Sequence, residues 1–265
     1  MRYLLSSRPT EPTVTVIVPA YNEARNLEVV LPSLPKVHEI LVVDGGSGDD
    51  TLETVARVSP EARIIQQTRR GKGNALACGM YAATGQIVVL FDADGSADPR
   101  EIDRMVEALV GGADFVKGSR HLPGGGSTDL TPLRTFGNRS LTGAVNRLFG
   151  TQYTDLCYGY NAFWRELLPV LRLPAVDGPD DAYWGDGFEI ETLMNCRVAE
   201  AGLRVAEVPS YELPRIHGAS NLHAVYDGIR VLRTILVERF GRVTEQLVPA
   251  GPVGAAELAD TRQAA

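Results

Sequence analysis

The chain has 265 residues, 44% of them hydrophobic and 22% charged, with a formal net charge of −7. That is the composition of an ordinary soluble globular protein, and the acidic balance argues against a general nucleic-acid binder. Three widely spaced cysteines, Cys78, Cys157 and Cys196, form neither a metal-ligand pattern nor a disulfide framework, which fits a reducing cytosol. No signal peptide is expected, and no apolar run approaches the ~18 residues that a bilayer span requires.

Residues 1–12 lack periodicity and read as a flexible lead-in. The β-branched run Val14-Thr15-Val16-Ile17-Val18 predicts a strand that stops at Pro19, followed by the loop Pro19-Ala20-Tyr21-Asn22-Glu23. Leu27, Val30, Leu31 and Leu34 recur at helical spacing. Ile40 to Val43 is a second strand, ending in Asp44-Gly45-Gly46-Ser47-Gly48-Asp49-Asp50, and a helix runs from about Thr51 to Val58. Ile64-Ile65 marks a short third strand, and Gly71-Lys72-Gly73-Asn74 opens a helix through Leu76, Met80 and Ala83. Pro99 fits the first turn of a helix carrying Ile102, Met105, Val106 and Leu109.

Between those last two helices lies Ile87-Val88-Val89-Leu90-Phe91-Asp92-Ala93-Asp94-Gly95. Its apolar run fits a central parallel strand covered on both faces. Alternating strands and helices give a parallel sheet with right-handed crossovers, whose ligands gather beyond the carboxyl ends of the strands. Asp92 and Asp94 then emerge at that rim. Two hard oxygen ligands so close suit Mg²⁺ or Mn²⁺, and such ions usually bring substrate phosphates. An Asp-rich turn with no ligand accounts for the same residues equally well.

The second half is less regular. Phe115 to Arg120 reads as a short strand ending in a base, and Pro123-Gly124-Gly125-Gly126-Ser127 as a flexible loop able to act as a lid. Leu133 to Leu148 is helical and carries Arg134, Asn138, Arg139 and Arg147. Tyr158 to Trp164 is strand-like, Asp177 to Gly187 an acidic mobile loop, Glu189 to Ala201 a helix, and Val205 to Val208 a late strand. Leu222, Val225, Ile229, Leu232 and Leu236 then form a helical stripe to about Phe240, flanked by Arg233 and Arg239, with Asp227 and Glu238 opposite. Such a stripe can pack on its own domain, pair two subunits, or lie on a membrane. The tail 242–265, rich in Ala, Gly and Pro, is expected to be disordered.

Four segments coincide in order and spacing: Val18-Pro19-Ala20-Tyr21-Asn22-Glu23, Val43-Asp44-Gly45-Gly46-Ser47-Gly48-Asp49-Asp50-Thr51, Gly71-Lys72-Gly73-Asn74-Ala75-Leu76 and Asp92-Ala93-Asp94. Together they resemble the family-2 inverting glycosyltransferases of the GT-A fold over about residues 13–215. Gly118-Ser119-Arg120, the Arg134 helix and Arg215-Ile216-His217-Gly218-Ala219-Ser220 narrow the likeness to the dolichol-phosphate mannosyltransferases and their polyprenyl-phosphate glucosyltransferase relatives. The resemblance implies an α/β fold: one Rossmann-like GT-A domain over 13–220, a mostly parallel sheet flanked by helices, and an amphipathic helix over 221–241.

It also implies site roles. Pro19, Tyr21 and Glu23 would line the base and ribose of a nucleotide sugar, and Asp44 would read base or ribose. An Asx-turn in the Gly-Ser loop competes for Asp44. Lys72 would meet the donor phosphates, and Asp92 and Asp94 would hold the Mg²⁺ or Mn²⁺ that bridges them. Ser96 falls where that branch offers a further polar ligand. Arg120, Arg134 and Arg215, with Asn138 one helical turn beyond Arg134, are the candidates for an acceptor phosphate. Each arginine also has a bland reading as a surface or structural charge. In Gly187-Phe188-Glu189-Ile190-Glu191, where many relatives keep a carboxylate base, Glu189 is preferred to Glu191 because it is nearer the loop, with Asp186 as competitor. His217 is a weaker candidate near the diphosphate, while His38, His121 and His223 read as surface or packing residues.

The expected activity is metal-dependent, inverting transfer of a hexose from a GDP-mannose or UDP-glucose type donor to a polyprenyl phosphate. Asp94, Glu189, Arg120 and Arg215 are the expected catalytic set. The expected setting is cytoplasmic, with peripheral contact at the inner membrane face and pairing of subunits through the last helix as alternatives. A soluble acceptor and a non-catalytic nucleotide-sugar-binding module are the competing readings. A dinucleotide-dependent oxidoreductase is disfavoured, because the first strand leads into Pro-Ala-Tyr-Asn-Glu and not into a Gly-rich turn.

Overall fold

The computed structural model describes residues 8–177, 184–218 and 224–241. Residues 1–7 of the lead-in, the middle of the acidic loop after Asp177, Ala219, Ser220, Leu222, His223 and the expected disordered tail lie outside the described residues.

The first half alternates as expected: β1 (Val14–Ala20), α1 (Ala24–Ser33), β2 (Glu39–Asp44), α2 (Thr51–Val58), β3 (Arg63–Gln66), α3 (Lys72–Ala82), β4 (Ile87–Leu90) and α4 (Glu101–Val110). The second half adds β5 (Phe115–Ser119), β6 (Gly126–Ser127), α5 (Pro132–Phe149), β7 (Asn161–Trp164), α6 (Leu168–Leu171), α7 (Ile190–Glu200), β8 (Val205–Pro209), β9 (Tyr211–Glu212) and α8 (Ala224–Phe240). Seven strands form one sheet in the order β3-β2-β1-β4-β7-β5-β8. Only β7 runs antiparallel to its neighbours β4 and β5. The fold is mixed α/β of the expected type.

Strand alternation divides the core into two layers. Val16, Val18, Val42 and Val89 pack under Leu27, Val30, Val55, Ile102 and Met105 of α1, α2 and α4. Ile17, Leu41, Val43, Val88 and Leu90 face Leu76 and Met80 of α3 and Ile190, Leu193 and Met194 of α7 on the other side. This two-sided burial is why the strands read as continuous apolar runs.

Several boundaries differ from the sequence reading. β1 continues through Pro19, whose partner in β2 is Val43. Ile17 accepts the Phe91 amide on the β4 side, and Pro19 presents its missing donor to that same side, beyond the last β1–β4 pair at Leu90. No ladder bond is lost there. Pro99 precedes α4 and does not enter it; its carbonyl accepts the Ile102 amide at 3.2 Å. The Pro123–Ser127 stretch is not free along its length. β6 pairs with β9, and Gly126 N donates to Ser210 O at 3.1 Å.

α8 leaves the predicted stripe uncovered by its own domain. Its inward face is Thr234, Ile235 and Glu238, while Ile229, Leu232 and Leu236 of the predicted stripe are exposed. The polar inward face is held by buried Arg197 of α7, which pairs with Glu238 at 2.9 and 3.1 Å. A carboxylate so partnered can enter the core. Among the described residues no helix is long and apolar enough to cross a membrane.

Candidate active site

Parallel strands deliver their carboxyl ends to one edge, and there the loops after β1, β2, β3 and β4 meet elements of the second half around a cleft of about 1080 Å³. Pro19, Tyr21 and Glu23 line it from the first loop, and Tyr21 is 59% exposed, its ring free for stacking. From the second loop only Gly45 and Gly46 reach the wall. Asp44 is 1% exposed and does not line the cleft; its carboxylate accepts the Gly46 amide at 3.0 Å and the Ser47 amide at 3.2 Å. The Asx-turn reading describes its observed position, and its oxygens shape the loop.

Asp92 and Asp94 stand on the cleft floor beyond β4, each beside a cation. Lys72 Nζ lies 2.7 Å from Asp92 Oδ1 and 2.8 Å from Glu191 Oε1. Burial alone would lower the Lys72 pKa, but the two carboxylates outweigh it and hold the ammonium well above its usual range. Asp92 shifts upward, through its own desolvation and then the repulsion of Asp94 and Glu191 set against Lys72. Arg215 Nη2 lies 3.0 Å from Asp94 Oδ2, and Arg215 Nη1 donates to Glu23 Oε1 at 2.9 Å. Asp94 Oδ1 accepts the Ser96 amide at 2.9 Å.

These carboxylates fit a hard divalent ion, and they would hold it together with donor oxygens and water. Among the described residues no group of three or more His, Cys, Asp or Glu could hold an ion unaided.

The expected acceptor residues do converge on the cleft, but in different states. Arg120 is clamped by Asp155, with Nε–Oδ2 at 2.7 Å and Nη2–Oδ1 at 2.9 Å, and its Nη1 reaches Glu212 Oε2 at 3.1 Å. The guanidinium lies 4.7 Å from the Tyr158 ring centre. Burial would raise the Asp155 pKa, and Arg120 reverses this, holding the carboxyl below its ordinary value. Asn138 is a strut: its amide donates to Asp155 Oδ1 at 2.8 Å and its Oδ1 accepts the Cys157 amide at 3.1 Å. Arg134 shares the wall, and among the described residues its guanidinium pairs with exposed Asp129, at 2.5 Å.

Glu189 does not face the cleft. Its Oε1 accepts the Gly185 and Gly187 amides at 3.1 and 3.2 Å, so it braces the turn before α7. Asp186, its competitor, is buried against Arg69 at 2.8 and 2.9 Å. The carboxylate that α7 gives the cleft is Glu191, two residues further on. The His217 ring does not line the cleft; its carbonyl accepts from Asn26 at 3.2 Å.

Residues that sequence reasoning missed are Asp155, Glu212 and Arg70, the last an exposed cation on the wall. Only Arg70 carried a signal, as part of the basic cluster Arg69-Arg70-Gly71-Lys72. Cys157 also reaches the wall, but burial pushes its thiol up to about 12, which keeps it protonated and poorly nucleophilic.

The chain is 34% identical over 227 residues to polyprenol monophosphomannose synthase of Mycolicibacterium smegmatis, covering 81% of this chain and 82% of that protein. It is 31% identical to undecaprenyl-phosphate mannosyltransferase of Micrococcus luteus, covering 79% and 87%. Glucosyl-3-phosphoglycerate synthase of Mycobacterium tuberculosis, crystallised with Mn²⁺, uridine diphosphate and glucosyl-3-phosphoglycerate, superposes with a TM-score of 0.66 at 26% identity, covering 86% of this chain and 80% of that one. The model of glycosyl transferase family 2 matches residues 15–171. A match of that extent, over the half that builds the strand-end floor, establishes that this chain is a glycosyltransferase and belongs to glycosyl transferase family 2.

Proposed function

We propose that the protein transfers a hexose, with inversion and dependence on Mg²⁺ or Mn²⁺, from a GDP-mannose or UDP-glucose type donor to a polyprenyl phosphate. The observation that carries this reading is the opening of Asp92 and Asp94 onto the same cleft as Arg120, Arg134 and Arg215. A bound divalent ion supplies charge neutralisation for the departing nucleoside diphosphate. Tyr21 offers its exposed ring to the base, and the cations beside the floor meet the phosphates. A phosphate acceptor needs no general base, since its second pKa is about 6. It needs alignment, which Arg134 can give because its partner Asp129 is solvent-exposed. Arg120 holds the acceptor wall in place through Asp155 and Glu212. Glu191 orients Lys72 and is placed to accept a hydroxyl from the transferred sugar.

The acceptor class is supported by the two relatives named for polyprenyl-linked mannose transfer. A soluble phosphorylated acceptor is the second reading, favoured by the mycobacterial synthase crystallised with phosphoglyceric acid. We also propose peripheral membrane contact through the exposed face of α8, where Arg233 and Arg239 flank Leu232 and Leu236.

The deciding experiment is transfer from a panel of nucleotide sugars, with Mg²⁺ or Mn²⁺, with and without polyprenyl phosphate. Release of one nucleoside diphosphate that depends on the lipid and stops with EDTA is the expected result. Metal-dependent donor hydrolysis without lipid transfer would favour the soluble acceptor. Undiminished turnover in an Asp94→Asn variant, expected to lose about 10²–10³-fold, would overturn the metal reading.

A further inference from the structure

The Asp94 carboxylate is already committed on both oxygens. Oδ1 takes the Ser96 amide at 2.9 Å and Oδ2 takes Arg215 Nη2 at 3.0 Å. Arg215 belongs to a segment laid across the turn that carries Asp94. Leu213 N donates to Ser96 O at 2.8 Å and Ile216 N donates to Asp94 O at 3.0 Å. Ile216 packs so closely that a Cβ on Gly95, whose φ is +76°, would lie 2.4 Å from Ile216 Cδ1. Two backbone bonds, one ion pair and one apolar contact therefore tie a single segment to the turn that carries Asp94.

The two cations on the floor are not equivalent. Lys72 sits between Asp92 and Glu191 on rigid α3 and α7. Arg215 sits on an irregular segment and bridges Asp94 to Glu23, which lies beyond β1. If Arg215 leaves Asp94, its second partner Glu23 still receives it. Its departure thus leaves no buried unpaired charge, which is the usual barrier to breaking such a pair.

We infer that Arg215 is a latch: a divalent cation and the Arg215 guanidinium compete for Asp94, and arrival of the ion releases the Leu213–Gly218 segment while Arg215 stays on Glu23. The inference rests on the metal-dependent reading above. In the absence of nucleotide, Arg215 holds the segment down and weakens the affinity for free ion. The ion then becomes tightly held only when a donor adds its own oxygens.

The test is binding of Mn²⁺ alone, without nucleotide, followed by electron paramagnetic resonance of the free ion. Arg215→Gln should bind Mn²⁺ about tenfold more tightly than wild type, because a competing positive charge is gone. Glu23→Gln should act in the opposite direction, since Arg215 then depends on Asp94 alone, and its effect should vanish in the Arg215→Gln background. Hydrogen exchange of wild type needs no variant: Mn²⁺ should speed exchange of the peptide containing Leu213 and Ile216. Unchanged or weaker Mn²⁺ binding in Arg215→Gln, or slower exchange with Mn²⁺ in wild type, overturns the latch and leaves metal dependence standing. Failure of wild type and Arg215→Gln alike to bind Mn²⁺ overturns both.

Discussion

Glu191 Oε1 lies 2.8 Å from Lys72 Nζ, so α7 and α3 share one charge pair directly over the Asp92 side of the cleft floor. Glu189, two residues earlier, is 5% exposed; its Oε1 accepts two backbone amides and its Oε2 lies 3.4 Å from Arg230 Nε. The two glutamates therefore face different surroundings, the cleft for Glu191 and the turn before α7 for Glu189. Glu191→Gln is expected to lower kcat/KM by about 10²-fold, with a smaller loss of Tm than Glu189→Gln because Asp92 still pairs Lys72. Glu189→Gln should lower Tm by a few degrees, from a loss of about 1–3 kcal/mol at a buried charged acceptor, with a smaller effect on turnover. Steady-state kinetics and thermal unfolding of the two variants, measured together, check the split. A larger kinetic defect in Glu189→Gln would reverse the assignment.

Much of this site was readable because its parts lie at strand ends. A strand covered on both faces must be a continuous apolar run, so Ile87 to Phe91 announced a central position, parallel to β1 though antiparallel to β7, and an exit for Asp92 and Asp94 at the cleft edge. Glu189 was preferred to Glu191, and it is Glu191 that lines the cleft, for a local reason. A residue just before the first helical turn can fold back onto loop amides, and i, i+2 spacing says nothing about which carboxylate does so. Asp155 and Glu212 were invisible in principle: they meet Arg120 across 35 and 92 residues, and neither sits in a periodic segment. The α8 stripe left its partner open because period 3.5 locates an apolar face without saying whether it is covered. A buried Arg197–Glu238 pair turned the other face inward.

Gly73 marks where α3 touches the turn before α7. A Cβ there would lie 1.9 Å from Gly185 O and 2.7 Å from Gly187 O. Both contacts are backbone, so no rotamer can relieve them. Gly73→Ala should therefore destabilise by at least ~1–3 kcal/mol and weaken donor binding, since the same turn holds Lys72. Gly143, in the exposed face of α5, meets nothing within 4 Å. Gly143→Ala should instead stabilise by about 0.5–1 kcal/mol through helix propensity. Denaturant unfolding of both variants gives the comparison, and equal effects would refute the close-approach argument.

The Arg120–Asp155 pair is buried, at 8% and 0% side-chain exposure. Asp155→Asn leaves the guanidinium with half its clamp, and breaking such a pair costs about 3–5 kcal/mol. The sign with pH follows from the lowered Asp155 pKa. Its stabilisation is complete above the ordinary carboxylate value and is lost as pH falls through the lower folded value. The wild-type advantage over Asp155→Asn should accordingly shrink on acidification below pH ~4. Urea midpoints of the two proteins between pH 3 and 7 measure it; a constant difference would contradict the pair's role.

On α8, Ile229 is 64% exposed, Phe240 67%, and Leu232 and Leu236 lie between them. Exposure of this kind on one helix face suits an interfacial helix, and the flanking Arg233 and Arg239 favour anionic lipid. The double variant Leu232→Glu/Leu236→Glu should lose most of its co-sedimentation with vesicles containing anionic lipid. It should fold normally, because both side chains point away from α5 and α7. If the wild type ignores vesicles but sediments as a dimer that the variant dissolves, the face pairs subunits instead.

Lys117 is fully buried in β5, donating to Tyr158 O at 3.3 Å and Asn161 Oδ1 at 3.1 Å. Burial pulls its pKa below 10.5, against the attraction of Asp155, Glu207 and Glu191. In the unfolded chain the same lysine titrates near its ordinary value. Between the lowered folded value and about 10.4 the unfolded state therefore binds more protons, and stability from this residue rises with pH. A Lys117→Met variant cannot show that rise. The stability of wild type relative to Lys117→Met should increase from pH 7 to pH 10, a comparison that cancels the titration of the tyrosines and cysteines common to both. A relative decrease would mean that the three nearby carboxylates, and not burial, govern the ammonium, and that Lys117 is a charged partner of the Arg120–Asp155 network.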